Sequence, residues 1–422
     1  MPIRPTAWEF FAGGGLAGMG LSGAGADGFD VTFANDIDAA KARAFRANHP
    51  DVTFHQGDVW ALELDDLPAP PDLAWASSPC QDVSLAGARG GLKARRSGAF
   101  WGFWRLIEAL AVRGQAPRAV VIENVAGLLT SGGGQDFVAV CSAMAGAGYR
   151  VGALEMDAAL WLPQSRPRLF IVALKGVDGP EASGPVAPFH TARLVAAMQR
   201  LPAPVQQTWA WWSVPEPARR NLDLATLLEP DDAVDWLPDE KAAAVLDLAA
   251  PLHRRRLGGL LASGERRVGA AYRRVRTEQG CKVQRLELRF DGLAGCLRTP
   301  AGGSSRQYVV VCDSGQARVR RLTGREAARL MGVDEAYELP ASESAALKLM
   351  GDAVAVPVVR ALSQALLHPA MAGRVAGHQA PPTDGTVDPV GAINNDPQTR
   401  RPGRYTCDIC AFRGGADPQE AD

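Results

Sequence analysis

Ala7-Trp8-Glu9-Phe10-Phe11-Ala12-Gly13-Gly14-Gly15-Leu16-Ala17-Gly18 decides how the chain folds. Ala7–Phe11 is a short apolar run, expected as a strand, and glycines follow it at once. Lacking a Cβ, a glycine-rich turn lets the backbone reverse sharply and approach a ligand closely. Gly13, Gly15 and Gly18 fit the G-x-G-x-x-G spacing that opens a nucleotide-binding βαβ unit. Glycine supplies 45 of the 422 residues, so the spacing by itself also fits an ordinary turn.

Outward from this stretch, short apolar runs recur at Val31–Ala34, Leu73–Ser77, Ala119–Ile122 and Arg168–Leu174. Helix-like stretches lie between them, at Asp38–Asn48, Gly98–Val112 and Asp136–Ala147. Such alternation predicts an α/β fold with a doubly wound, mostly parallel, Rossmann-like sheet. From about Gly176 the alternation is lost, and Pro, Trp and charged residues become dense, as in Thr208–Pro217. Leu322–Met331 reads as a helix, and Lys348–Leu362 restores an apolar, helix-rich pattern. The expected organisation is a catalytic and cofactor-binding domain over 1–179, a smaller irregular domain over 180–335, a return to the first over 336–370, and a Pro/Gly-rich tail over 371–422 expected to be disordered.

Bulk properties narrow the function classes. Hydrophobic residues make up 47% of the chain, as in globular proteins. No apolar run reaches the ~18 residues of a transmembrane helix, and Met1–Phe10 lacks a signal-peptide core. The seven cysteines are scattered and odd in number, which points to a reducing compartment rather than a disulfide framework. Net charge is -1, yet Arg254–Arg289 carries eleven Lys/Arg against three Asp/Glu. That excess suits a phosphate backbone; a solvated basic face is the alternative.

Chemistry-bearing residues cluster at the strand ends. Asp36 ends the second strand, where a carboxylate can accept from ribose hydroxyls, and Asp58 in Gly57-Asp58-Val59 could meet an adenine amino group. Two solvated acids are the alternative. The run Ala74–Ser77 stops at Pro79-Cys80-Gln81, which aims Cys80 into a cleft as a nucleophile unless it is a buried, inert thiol. Glu123-Asn124-Val125 ends another strand, and Glu123 there can act as an acid if burial raises its pKa. Gln164-Ser165-Arg166-Pro167-Arg168 puts two arginines on one side of an extended segment, suited to a phosphate or a base carbonyl. Cys296–Arg306 is a glycine- and hydroxyl-rich loop, and Cys407/Cys410 is a cysteine pair without the further ligands of a zinc site.

Taken in order, these segments resemble the DNA (cytosine-5) methyltransferase family from Phe11 to about Leu362. Phe11-Ala-Gly13 with Gly15 resembles its cofactor motif, Pro79-Cys80-Gln81 its nucleophile motif, and Glu123-Asn124-Val125 and Gln164-x-Arg166-x-Arg168 its next two. Arg321-Leu-Thr-x-Arg325-Glu326 and Gly351-x-Ala353-Val354 resemble the last two. The chain departs from the pattern at Leu16, where a further glycine is common, at Ile37, where a larger aromatic is frequent, and at Asp352, usually Asn. The resemblance implies catalysis by Cys80, Glu123, Arg166 and Arg168. It implies S-adenosyl-L-methionine at Phe11, Ala12, Gly13, Gly15, Asp36, Ile37, Asp58, Val59, Pro79, Phe100, Ala353 and Val354. Contacts to double-stranded DNA would come from Gln81, Asn124, Gln164, Arg273, Arg274, Arg276, Arg298, Thr299, Gly302 and Gly303, with the 180–335 segment as target recognition domain and no metal.

The implied reaction adds Cys80 to carbon 6 of a flipped cytosine, with Glu123 at ring nitrogen 3 and the two arginines orienting the base. A monomeric, cytoplasmic, bacterial-type modification enzyme is expected, with a cognate restriction endonuclease as a separately acting partner. Other readings stay open: an NAD(P)-dependent oxidoreductase, a DNA-binding regulator on an inactive methyltransferase fold, and the same chemistry on RNA.

Overall fold

The computed structural model describes residues 4–23, 27–79, 98–299 and 306–372. Cys80, Gln81, Gly302, Gly303, Cys407 and Cys410 lie outside the described residues, as does the tail from 373. Seven strands build the first sheet: β1 (Thr6–Phe10), β2 (Asp30–Asp36), β3 (Thr53–Gln56), β4 (Leu73–Ala76), β5 (Ala119–Val125), β6 (Arg150–Asp157) and β7 (Pro167–Leu174). Their order is β3-β2-β1-β4-β5-β7-β6. Neighbours among the first five are parallel, whereas β7 runs antiparallel to both β5 and β6. The mostly parallel sheet expected from the strand–helix alternation is present.

The strands are near-continuous apolar runs because both faces are covered. Successive residues feed opposite cores. Ala7, Leu73, Trp75, Ala119, Val121, Phe170 and Val172 enter one. Trp8, Phe10, Ala74, Ala76, Val120, Ile122, Leu169 and Ile171 enter the other. The crossovers supply the covering helices α1 (Leu16–Ser22), α2 (Ala39–Asn48), α3 (Ala99–Val112) and α4 (Gln135–Gly146). Phe103, Trp104, Ile107, Phe137 and Val140 bring α3 and α4 onto the second core. α1 covers the first core with the later helix Val356–Leu362. These two helices touch at Gly20, where an added Cβ would lie 2.5 Å from Val359 Cβ.

After β7 come a two-residue pair, β8 (Glu181–Ala182) and β9 (Trp211–Trp212), and then β10 (Arg267–Glu278), β11 (Cys281–Arg289), β12 (Gln307–Asp313) and β13 (Gln316–Arg321). The last four form an antiparallel sheet in the order β11-β10-β12-β13. One face, with Ala271, Leu286, Leu288, Tyr308, Val310 and Val319, packs on the helices Asp239–Leu246 and Pro251–Ser263. Ala270, Val309 and Val311, on the opposite face, join the core under α1. Regular strands thus occupy part of the segment whose sequence lost its alternation.

Candidate active site

Strand register gathers the motif residues. Phe10 lies opposite both Asn35 and Ala76, and Ala76 lies opposite Ile122. The next residues, Phe11, Asp36, Ser77 and Glu123, therefore share the carboxyl edge of the parallel strands, where open α/β sheets bind ligands. β7 enters at the same edge, with Arg168 opposite Val125.

The glycine turn is held from below. Phe11, Gly13 and Gly15 have φ of 56°, 58° and 82°, left-handed values that glycine adopts freely and Phe11 does not. Asp36 is buried, and its two carboxylate oxygens accept from the Gly13 N–H at 2.9 Å and the Asp38 N–H at 2.8 Å. Its observed partners are thus backbone donors that fix the turn; each oxygen retains a further lone pair. Tyr337 donates its hydroxyl to the Gly14 carbonyl at 2.8 Å. A Cβ added at Gly13 would meet nothing within 4 Å, so the turn is open there.

Beside it, Ile37 is 68% and Trp60 45% exposed, unusual for large apolar side chains. Asp58 is exposed and accepts from the Trp60 N–H at 3.0 Å. An open glycine turn, exposed apolar surface and a surface acid suit an adenosine-bearing ligand. Ala12 and Val59 are buried beneath this edge.

Three of the expected cofactor residues have other duties. Phe100 is wholly buried in the core, 4.9 Å from the Trp101 ring and 6.1 Å from the Trp104 ring. Val354 is buried in the other core. The Ala353 carbonyl accepts from Arg166. Glu9, which the sequence reading passed over, lies under the turn and accepts from the Gly18 N–H at 3.0 Å. Burial pushes its carboxyl up to about 8. An acid inside the apolar run Ala7–Phe11 was the available signal.

At the reacting end, Glu123 and Arg168 form a buried ion pair, with Nε 3.1 Å from Oε1. Burial raises the Glu123 carboxyl pKa, outweighing the opposing effects of Arg168, Arg166 and a hydrogen bond from Ser77. Glu123 can therefore hold a proton. Asn124 points the other way. Its Nδ2 donates to the Ser78 carbonyl at 3.0 Å and to Ser78 Oγ at 3.3 Å. Asn124 thus pins the strand end that leads through exposed Pro79 to position 80.

Arg166 and Gln164 are likewise engaged with backbone groups. Arg166 is buried and donates to the carbonyls of Leu297 at 2.9 Å, Gly351 at 2.9 Å and Ala353. Burial, with Arg168 beside it, lowers its pKa to about 10. Gln164 is fully buried, donating to the Leu330 carbonyl at 2.6 Å and accepting from the Leu297 N–H at 3.2 Å. Both side chains clamp three distant segments together. Arg168 alone of the two arginines is joined to Glu123. Cys296 Sγ lies 3.5 Å from Arg166 Nη1 and 4.0 Å from Arg168 Nη1.

The expected DNA residues divide by strand alternation. On β10, Arg273 shares the face of Ala271 and lies 5.4 Å over the Tyr308 ring, whereas Arg274 and Arg276 alternate to the other face. Arg276 is paired with Glu287 at 2.6 Å. Much of the local basic excess is likewise matched: Arg266 by Asp231 and Asp313, Arg285 by Glu278, and Arg289 by Asp291. Arg298 is exposed, and Thr299 bonds to Asp352, which also pairs with Lys41 at 2.9 Å. The Arg321–Glu326 motif is structural: Thr323 and Glu326 cap the helix Gly324–Leu330, and Glu326 takes a bidentate, buried Arg320.

The sequence profile described as C-5 cytosine-specific DNA methylase matches residues 6–368. The type II methyltransferase M.NlaX of Neisseria lactamica is 25% identical over 359 residues, 84% of this chain and 94% of its own length. M.HaeII of Haemophilus aegyptius, also a type II methyltransferase, is 26% identical over 364 residues, 85% of this chain and 92% of its own. Among solved structures, the S. pombe Dnmt2 methyltransferase superposes with a TM-score of 0.53 at 17% identity, covering 87% of this chain and 99% of that one, a likeness of fold.

Proposed function

The chain belongs to the C-5 cytosine-specific DNA methylase family and methylates DNA cytosine at carbon 5, and we propose that it does so through a covalent Cys80 adduct of a flipped cytosine. The observation that carries this reading is the Glu123–Arg168 pair. It is a buried carboxyl able to keep a proton, anchored beside the strand end that leads to position 80. Carbon 5 of cytosine is a poor nucleophile. Addition of the Cys80 thiolate at carbon 6 makes it enamine-like, and Glu123 offsets the developing charge by donating at ring nitrogen 3. Arg168 holds Glu123 and orients the base through its carbonyl. Asn124, through Ser78, keeps the nucleophile's strand end in place. Once carbon 5 has taken up the methyl group, loss of its proton to solvent and elimination of the Cys80 thiolate from carbon 6 complete the turnover. Extruding the base from the duplex costs roughly a few kcal/mol.

S-adenosyl-L-methionine, the methyl donor, supplies an electrophilic methyl group when bound. The open turn at Gly13, with Phe11, Ile37 and Asp58, is the surface that would hold it. The sheet of β10–β13 and Arg298 would face the duplex. The type II names of the relatives favour a sequence-specific modification enzyme of restriction–modification type, and we propose that it acts as a cytoplasmic monomer. Conversion sequencing of DNA from a host expressing the chain is expected to show protected cytosines within one short motif. In the same assay Cys80→Ser should abolish protection while the purified variant still binds duplex. Full turnover by Cys80→Ser, or an unprotected genome with wild-type protein, refutes the reading.

A further inference from the structure

We propose that Cys296 is a positioning residue of this site: a second anionic partner of Arg168 that leaves Glu123 able to keep its proton. The inference rests on the cytosine chemistry assigned above to Glu123 and Arg168. The argument is one of charge balance. Arg166 and Arg168 come from β7, Glu123 from β5, and Arg298 from the segment that carries Cys296 itself. Asp157, at the end of β6, is engaged with the Arg166 backbone N–H at 2.6 Å. Arg166 otherwise meets neutral carbonyls.

Among the described residues, a buried guanidinium, Arg166, and a largely buried one, Arg168, thus face one carboxylate. When Glu123 is protonated, as donation to the base requires, they face none among the described residues, and an uncompensated buried charge is unfavourable. The missing charge can come from Sγ of Cys296, which lies 3.5 Å from Arg166 Nη1 and 4.0 Å from Arg168 Nη1. Arg168 offers Nε to Glu123, while its Nη1 donates to the Pro167 carbonyl at 2.9 Å and has Cys296 Sγ 4.0 Å away, so the two anionic partners take different edges of one fork. Burial alone would push this thiol up, but Arg166, Arg168 and Arg298 together hold it below the usual thiol range. Among the described residues any Sγ proton would have only the Leu297 carbonyl to bond, at 3.4 Å, and Arg166 already donates there.

Removing the thiolate leaves Glu123 as the one counter-charge of Arg168 among the described residues and lowers its proton affinity. The alkaline limb of the kcat–pH profile, where Glu123 loses its proton, should then move to lower pH. Two unit charges several ångströms apart in such a setting shift a titration by on the order of one pH unit. Cys296→Ser is therefore expected to bring the limb down by about one unit, with roughly tenfold lower kcat on that limb. Cys296→Asp, which restores an anion, should return it towards the wild-type position. A Cys296→Ser limb at the wild-type position overturns the proposal, whatever its activity, because a merely structural loss would not shift the profile selectively. A second measurement needs no turnover. The thiolate absorbance difference between Cys80→Ser and Cys80→Ser/Cys296→Ser should titrate below the ordinary thiol value of ~8.5. A difference band arising only above it overturns the anion. If no methylation is found but that band titrates low, the failure lies with the cytosine reading and not with Cys296.

Discussion

Replacing Arg166 with Met separates holding the site together from doing its chemistry. The guanidinium donates to the carbonyls of Leu297, Gly351 and Ala353, and those segments reach β7 from more than a hundred residues away. Met fills much of the volume and offers no donor. Each buried carbonyl left without a partner costs about 1–3 kcal/mol. Three of them would cost about 3–9 kcal/mol, reduced because the buried cation no longer has to be desolvated. A net loss of about 4 kcal/mol is expected, a large share of the roughly 5–15 kcal/mol available to a folded protein. With a urea slope of about 3 kcal/mol/M, the unfolding midpoint of Arg166→Met should fall by about 1.3 M. Arg168→Met is the control. It removes the Glu123 ion pair at the edge of the site, and turnover should fall at least 100-fold with a smaller midpoint shift. A wild-type midpoint for Arg166→Met combined with lost turnover would refute the clamp and return Arg166 to the base.

Two further outcomes follow from burial and alternation. Glu9 ionises at about 8 in the folded chain but near 4.5 when unfolded, so the native state holds the extra proton between these values and stability falls as pH rises through that window. Between pH 6 and pH 9 the wild type should lose about 2.7 kcal/mol, the roughly two pH units that lie below the folded value at about 1.36 kcal/mol each, read as a falling urea midpoint, whereas Glu9→Gln should stay flat; equal slopes would contradict it. On β10, Arg274→Ala should reduce the salt slope of duplex binding by about one, the yield of a single phosphate contact. Arg273→Ala, on the opposite face over Tyr308, should leave the slope unchanged, and the reverse ranking would place the duplex on the other side of the sheet.

How legible each element was depended on where its partners lie in the chain. The parallel core strands could be read because both faces are covered, which makes each a run of apolar residues. β3 and β6 could not. β3 is a four-residue edge strand ending in His55 and Gln56. β6 contains Gly152, whose added Cβ would lie 2.1 Å from the Ala210 carbonyl oxygen, a demand set by a segment sixty residues on. β10 and β11 carry so many arginines that they read as a basic segment; much of that charge is matched by acids brought near by folding, such as Asp231 and Asp313.

The site repeats the distinction at the scale of single side chains. Alternation along Gln164–Arg168 puts both arginines on one side, and Cys296 does touch both. Alternation is silent about what stands opposite each. Arg168 faces a carboxylate that can exchange a proton, and Arg166 faces carbonyls that cannot. Asn124 and Asp36 divide from their motif neighbours in the same way, since their observed partners are mainly backbone groups of neighbouring turns. A motif therefore marks where polar side chains converge, and the partner of each decides its role. Where the partner is a backbone group, substitution should be read first in unfolding; where it is ionisable, first in the pH profile.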